Sequence, residues 1–207
     1  MPKNITIEFP EAKQNRSKQT LDEILQAAFE LVDQANPNKF TSRELSARSG
    51  YALSTLCDRV GIIENAFLWV IKQGQSLQLG NLAQKFREFD DHLPLQSFME
   101  VMIDCSFEKI KQVNPRVIRY YEDCLAKQQT LSSESYHYSD ILAQPYVETA
   151  LRNQTDTFRQ VSIDEAILLF RSALTIVERP FVELNPIAGS EEHRRIAIST
   201  LVLMFGK

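Results

Sequence analysis

Residues 41–60 read TSRELSARSGYALSTLCDRV and predict two short helices joined by a tight turn. Thr41 and Glu44 have the spacing of a capping box, which predicts a helix over the eight residues after Thr41. Gly50 follows that helix at the place of a left-handed terminator, and a second helix is predicted over about 52–59. Two short helices joined by a turn that contains glycine are a common way of presenting side chains to DNA.

The composition predicts a soluble globular protein. The chain has 207 residues, of which 43% are hydrophobic and 24% are charged, an ordinary balance for a folded domain. Its net charge of −4 argues against indiscriminate coating of nucleic acid but is compatible with a local basic face. The N-terminus lacks the apolar core of a signal peptide, and no run approaches the ~20 apolar residues of a membrane span. We therefore expect a cytoplasmic protein with no membrane partner.

The sequence offers no catalytic, metal or cofactor motif. Cys57, Cys105 and Cys124 form no C-x-x-C pair and are interpreted as reduced thiols, with Cys57 as a small buried hydrophobe. Glu134 and His137 have E-x-x-H spacing, but a di-iron bundle needs a second such pair and two further glutamates. No G-x-S-x-G, P-loop or G-x-G-x-x-G motif occurs. We predict no metal site and no cofactor, and an all-helical enzyme is the weakest functional alternative.

Helical periodicity dominates the rest of the chain and predicts an all-α protein. The segment TLDEILQAAFELVDQA has an apolar stripe of period near 3.6, and a T-x-x-E capping box at Thr20 predicts its start. Gly74 and Gly80 are expected to bend or break the fourth helix. Another helix is predicted at about 139–160, and a third capping box at Ser162 begins the next one.

Three short helices, with a capped second helix and a glycine turn, precede a large helical body, and this order resembles the TetR family of transcriptional regulators. The resemblance covers about 17–71, in register with the family's patterns for helix one, the helix-turn-helix and helix four. The residues that carry it are Ile24, Ala27, Ala28, Phe29, Thr41, Leu45, Ser46, Gly50, Thr55, Leu56, Gly61, Phe67 and Leu68. It implies a flexible N-terminal arm (1–16), a three-helix helix-turn-helix DNA-binding domain (17–75) and a larger helical ligand-binding and dimerisation domain (76–207).

The resemblance places DNA contacts on the second and third helices. A helix N-terminus binds phosphate through free N–H groups and its positive dipole end, and nearby arginines neutralise backbone charge. Hydroxyl and apolar side chains at the start of the third helix are suited to base edges and thymine methyls in the major groove. Lys13, Arg16 and Lys18 precede the predicted first helix and are expected to follow the DNA backbone or enter a minor groove. The predicted contacts are Thr41, Ser42, Arg43, Arg48, Tyr51, Leu53, Ser54, Thr55 and Arg59.

Five positions depart from the family pattern in ways that weaken DNA binding. Ala52 replaces the usual serine cap of the third helix, a loss of ~1 kcal/mol. Cys57 and Ile63 replace a tyrosine and a lysine that hold phosphate, Val60 replaces a phenylalanine, and Asp58 adds a negative charge. Fewer phosphate contacts lower both affinity and its salt dependence. The alternative function is therefore a ligand-binding dimer of the same fold with weak or lost specific DNA binding.

The helical body is expected to bind a small apolar ligand and a second copy of the chain. Long apolar faces on the last two helices favour a C2 homodimer, which in the resembled family forms through those helices. Aromatic and sulfur-containing side chains of the middle helices are candidates for a ligand pocket, with plain core packing as the competing interpretation. These candidates are Phe98, Met99, Met102, Cys105, Tyr120, Tyr121 and Phe170. The sequence thus predicts a TetR-like repressor that binds a palindromic operator in double-stranded DNA and is released by its ligand.

Overall fold

The computed structural model describes residue 9 and residues 15–33, 40–127 and 137–207. The described residues form α-helices and one 3₁₀ helix, His137–Leu142. The α-helices are α1 (Asn15–Asp33), α2 (Ser42–Ser49), α3 (Leu53–Val60), α4 (Ile63–Arg87), α5 (Leu95–Gln112), α6 (Pro115–Lys127), α7 (Ala143–Arg152), α8 (Ile163–Val177), α9 (Arg179–Val182) and α10 (Glu191–Phe205). This order confirms the predicted all-α class, with a helix-turn-helix ahead of a larger helical body. None of these helices is long and apolar enough to cross a membrane.

The chain folds into two compact units, and each is described by itself. Unit 1 contains α1 to α3, α4 up to residue 75, and α6; unit 2 contains the described residues of 76–113 and 137–207. The sequence had assigned α6 to the C-terminal domain. It belongs to unit 1 because its Tyr120 ring packs edge-on against Phe67, with ring centroids 4.7 Å apart. The predicted arm 1–16 lies outside the described residues except for residue 9 and the first turn of α1.

Helix α1 begins earlier than its predicted capping box. It starts at Asn15, so Arg16 and Lys18 belong to the helix and do not precede it, and Lys13 lies outside the described residues. The Thr20 hydroxyl donates a hydrogen bond back to the Arg16 carbonyl at 2.9 Å, as interior threonines do. The predicted cap at Thr20 is therefore wrong, because the apolar stripe marks the buried face of a helix and not its beginning.

The turn between α2 and α3 forms as predicted. Thr41 is the N-cap of α2, and its hydroxyl accepts a hydrogen bond from the Glu44 N–H at 3.2 Å. Gly50 ends the helix with a φ of +75°, a left-handed conformation that costs glycine no steric penalty. The side chains of Leu45, Leu56 and Val60 are buried beneath α2 and α3 together with Ile24, Ala28 and Leu31 of α1.

Helix α4 is continuous through both of its glycines. It runs from Ile63 to Arg87 without interruption, so the predicted break at Gly74 and Gly80 is wrong. A glycine in a helix interior costs roughly 0.5–1 kcal/mol relative to alanine. The buried side chains on either side, including Val70 and Phe86, gain more from packing than that cost.

Unit 2 is organised around a cluster of aromatic rings. Tyr146 of α7 is fully buried, and its ring lies within 6.2 Å of four phenylalanine rings, measured between centroids. Its hydroxyl lies 3.0 Å from the carbonyls of both Arg159 and Phe205, so the phenol has a polar partner inside the core. Burial raises the pKa of this phenol, which keeps it a neutral donor. The four phenylalanines are Phe98, Phe158, Phe170 and Phe205.

The helix predicted over 139–160 is interrupted at both ends. It begins with the 3₁₀ helix and ends as α7 at Arg152, so the sequence overestimated its length. Beyond α7 the Asn153 side chain donates to the Leu93 carbonyl at 2.9 Å, and Phe158 forms an isolated antiparallel bridge with Gly206. These partners lie 48 or more residues away along the chain, so a local pattern does not reveal them.

The third capping box is confirmed, and a one-turn helix follows the helix that it begins. Ser162 caps α8 by accepting the Glu165 N–H at 3.2 Å. After α8 the chain forms the one-turn helix α9, which contains Pro180. Two bidentate ion pairs then join helices of this unit: Arg171 with Asp140, and Arg194 with Asp104.

Candidate functional site

The start of α2 presents the polar groups expected of a phosphate site. Thr41, Ser42 and Arg43 are all exposed there. The Thr41 hydroxyl is occupied by the Glu44 N–H, and the backbone N–H groups of the first turn remain at the positive end of the helix. Arg43 has no ion-pair partner among the described residues. The start of α2 therefore combines free backbone N–H donors, the positive end of a helix dipole and the cationic side chain of Arg43.

Two other predicted DNA contacts are held by carboxylates of α1. The Tyr51 hydroxyl donates a hydrogen bond to the Glu23 carboxylate, and Arg48 Nη1 lies 3.4 Å from Glu30 Oε2. The bond from Tyr51, followed by one from Gln19, lowers the pKa of Glu23. Glu23 is therefore a carboxylate at neutral pH, and these bonds are lost only as the pH falls through its lowered pKa. A contact of Tyr51 or Arg48 with DNA would therefore have to compete with these carboxylate partners.

Helix α3 exposes a mixed polar and apolar leading end. Leu53 is 46% exposed, and Ser54 is also exposed, whereas Thr55 is half-buried. Ala52, at the N-cap position, makes no side-chain hydrogen bond to the helix, as its methyl group requires. The backbone turn is instead fixed from α2, because the Ser46 hydroxyl donates to the Tyr51 carbonyl at 2.6 Å. The helix is thus anchored without its usual cap.

The second half of α3 exposes fewer side chains that are suited to contact DNA. Cys57 and Asp58 are exposed, so the interpretation of Cys57 as a buried hydrophobe is wrong: the buried positions of this turn are taken by Leu56 and Val60. Arg59 is half-buried and donates to the Ser17 hydroxyl at 3.3 Å. Its guanidinium is directed back to α1.

Unit 2 contains a cavity of about 190 Å³ between α4, α5 and the end of α8. One carboxyl at its wall, that of Glu178, accepts a hydrogen bond from the Tyr138 hydroxyl at 2.5 Å. Burial raises the pKa of this carboxyl to about 7, and the bond from Tyr138 opposes that shift. The lining residues are Gln78, Leu79, Asn81, Leu82, Lys85, Cys105, Ser106, Glu108, Lys109, Ile110 and Glu178.

The seven residues predicted to bind ligand are distributed differently. Cys105 lines this cavity. Phe98, Met99, Met102 and Phe170 are at most 4% exposed and pack in the core of unit 2, while Tyr120 and Tyr121 belong to unit 1. The core-packing interpretation suits the four residues in the core of unit 2, which leaves the residues that line the cavity as the candidates for ligand contact.

Metal-binding chemistry finds no support in the part of the chain that the structure describes. Groups of three or more His, Cys, Asp or Glu side chains that would hold an ion are absent among those residues. Of the E-x-x-H pair, Glu134 lies outside the described residues, and His137 begins the 3₁₀ helix.

Comparison with known proteins identifies the architecture. No protein-family profile matches the sequence, and no curated protein matches it. A solved structure, described as a TetR-family transcriptional regulator from Mesorhizobium loti, matches 94% of this chain and 100% of its own with a TM-score of 0.62. This chain has the TetR-family fold. At 12% identity the likeness establishes the fold alone, because one fold serves many functions.

The sequence does not by itself single out three carboxylates that the structure places at the candidate sites, those of Glu23, Glu30 and Glu178. Glu23 and Glu30 are seven residues apart, so they lie two turns apart on one face of α1, and that spacing was the available signal. Glu178 is a carboxylate that comes directly after the apolar segment ALTIV at the end of α8, where a charged side chain is unexpected. A residue placed against its local preference is a candidate for a role in function.

Proposed function

We propose that the protein is a homodimeric DNA-binding transcriptional regulator, a repressor that a small and largely apolar ligand releases from a palindromic operator. The observation that carries the proposal is the exposure of Thr41, Ser42 and Arg43 at the N-terminus of α2, together with that of Ser54 at the start of α3. Backbone N–H groups and an arginine suit phosphate, and a neighbouring hydroxyl suits a base edge.

Exposed leucines on the last two long helices support the dimer. Leu168 of α8 is 63% exposed and Leu203 of α10 is 84% exposed, and these two helices pack against each other within unit 2. Large apolar side chains in such positions favour burial against another surface, and a two-fold axis lets one patch serve both copies. Two heads separated by one helical turn of DNA, roughly 34–36 Å, then meet the two halves of a palindrome.

A mobility-shift titration tests the proposal directly. Purified protein is titrated against DNA that flanks its own gene and against random DNA of equal length, at several salt concentrations. We expect preferential retardation of the flanking DNA and a steep salt dependence. Equal retardation of both DNAs at low salt would refute the repressor proposal.

Arg43→Ala should weaken binding to all sequences alike. Loss of one phosphate contact should reduce the slope of log affinity against log salt by about 0.9. Thr55→Val is the contrasting variant, since a residue that reads bases should change sequence preference with little change in that slope. The measurement is a salt series on two operators; an Arg43→Ala effect confined to one of them would contradict the phosphate assignment.

Glu30→Gln should tighten binding to any duplex. The substitution releases Arg48 from its ion pair and removes a negative charge from the head, so the salt slope should become steeper by up to about 0.9. Glu88→Gln makes the same change of net charge in unit 2, which holds none of the predicted DNA contacts, and serves as the control. If both variants bind alike, the Glu30 pair does not restrain Arg48.

The second candidate is a ligand-binding dimer of the same fold with weak or lost specific DNA binding. It is favoured by the exposed Cys57 and Asp58 on α3 and by the carboxylate partners of Arg48 and Tyr51. The titration separates the two candidates, because this one predicts ligand binding without preferential retardation.

A further inference from the structure

The Glu178 cavity combines apolar walls with one sheltered acid. Leu79, Leu82 and Ile110 line it from α4 and α5, and the Glu178 carboxyl lies at its wall beside the Tyr138 hydroxyl. A carboxyl in such a place suits a ligand that donates hydrogen bonds or carries positive charge.

We propose that this cavity binds a small organic amine, whose ammonium group pairs with the Glu178 carboxylate and whose compact apolar portion packs against Leu79, Leu82 and Ile110. The inference deepens the proposed function, since it names the chemical class of the ligand that would act on the regulator. The volume of about 190 Å³ sets the size of the apolar portion. An engineered apolar cavity of ~150 Å³ in another protein holds benzene, so a single six-membered ring fits here.

Because the other charged side chains that line the cavity are exposed, Glu178 is the charged group best placed to recognise a ligand. Lys85, Glu108 and Lys109 are exposed, so their charged ends are solvated and screened, and Glu108 offsets one of the two lysines. Arg179 follows Glu178 in the chain, and its guanidinium pairs with Glu183 at 2.8 Å. The titratable or charged groups near Glu178 are Lys85 from α4, Cys105, Glu108 and Lys109 from α5, Tyr138 from the 3₁₀ helix, and Arg179.

Amine binding should be coupled to the ionisation of this acid. The free carboxyl has a pKa of about 7 because it is buried, and a bound ammonium group would lower that pKa. A primary amine stays protonated from pH 6 to 8, so Glu178 is the titrating partner in that range. Affinity should therefore be nearly full at pH 8 and fall about tenfold between pH 8 and pH 6, with about half a proton released per ligand bound at pH 7.

Isothermal titration calorimetry of the full chain, without DNA, tests the inference with three probes of one shape. These are 2-phenylethylamine, 2-phenylethanol and phenylacetate, each measured at pH 6, 7 and 8 in buffers of different ionisation enthalpy. We expect the amine to bind most tightly at pH 8, to weaken about tenfold at pH 6 and to release protons. Tighter binding of phenylacetate, equal binding of all three, or no binding of any of them at millimolar concentration would overturn the inference.

Three variants test which residues determine amine binding and its pH dependence. Glu178→Gln should abolish the preference for the amine over the alcohol and its pH dependence, while Glu108→Gln, a neutralised carboxylate elsewhere on the lining, should retain both. Tyr138→Phe leaves the acid in place and should move the midpoint of the pH dependence upward, because its hydroxyl lowers the pKa of Glu178. Unchanged amine binding in Glu178→Gln, or an unmoved midpoint in Tyr138→Phe, would contradict the assignment.

The same probes separate this inference from the proposed function. If 2-phenylethylamine binds as described but leaves the DNA mobility shift unchanged, the release mechanism fails and the cavity assignment stands. If specific retardation of the flanking DNA is observed and no probe binds, the cavity assignment fails and the DNA-binding proposal stands.

Discussion

Replacing Arg171 with methionine should lower the free energy of unfolding by about 3 kcal/mol, the lower end of what removal of one partner from a buried ion pair costs. Its guanidinium makes two hydrogen bonds to Asp140, at 2.8 Å and 2.6 Å, and the Asp140 side chain is 3% exposed. Methionine keeps much of the apolar stem but leaves a buried carboxylate without its partner. Arg171 itself is 30% exposed, so water softens the loss, which is why the lower end is expected.

The chain offers a matched control for this prediction. Arg194 makes the same bidentate contact with Asp104, at 2.6 Å and 2.8 Å, but the Asp104 side chain is 53% exposed. Arg194→Met should therefore cost at most about 1 kcal/mol, as exposed pairs do. The bond from Arg194 lowers the pKa of Asp104, so its small contribution is present at neutral pH and is lost as the pH falls through that lowered pKa.

Urea unfolding followed by circular dichroism measures both effects at one fixed protein concentration, because the stability of the proposed dimer would depend on concentration. A double variant, Asp140→Asn with Arg171→Met, should recover much of the loss, since no charge then remains buried. If Arg171→Met costs no more than Arg194→Met, burial does not distinguish the two pairs.

The accuracy of the sequence predictions follows the range of the interactions that decide each element. The cap at Thr41, the left-handed Gly50 and the cap at Ser162 depend on residues within one or two turns, and all three form as predicted. The end of α7 depends on the contact of Asn153 with Leu93, 60 residues away, and the prediction was wrong there. Local patterns therefore predict the caps at Thr41, Gly50 and Ser162, but the wrong cap at Thr20 shows that a capping-box spacing alone does not place the start of a helix.

At the candidate site, the sequence predicts which side chains are exposed but not which distant side chains they pair with. Exposure of Ser42, Arg43 and Ser54 follows from their positions on short amphipathic helices, so the sequence predicts it. The partners of Tyr51 and Arg48 lie 28 and 18 residues earlier in the chain, on α1, and pairing at that separation is a property of the packed unit. The sheltered acid at Glu178 depends likewise on a tyrosine 40 residues away.

If the proposed dimer forms through α8 and α10, the substitutions Leu168→Glu and Leu203→Glu together should convert it to monomers and reduce operator affinity by about 10²- to 10⁴-fold, the usual gain from joining two binding modules. Both leucines are mostly exposed in the single chain, so the fold should tolerate the change. In the dimer each glutamate would be buried without a partner, and four of them would face one two-fold interface.

Analytical ultracentrifugation and mobility shift on the same preparations measure the two consequences. Leu151→Glu is the control, because Leu151 of α7 is 63% exposed, as Leu168 is, and lies outside the proposed interface. It should leave both mass and affinity unchanged. The design separates assembly from DNA contact, because the substituted residues lie in unit 2 and the predicted DNA contacts lie in unit 1. A double variant that stays dimeric would place the interface elsewhere, whereas a monomer that still binds the operator with full affinity would show that the two heads do not act together.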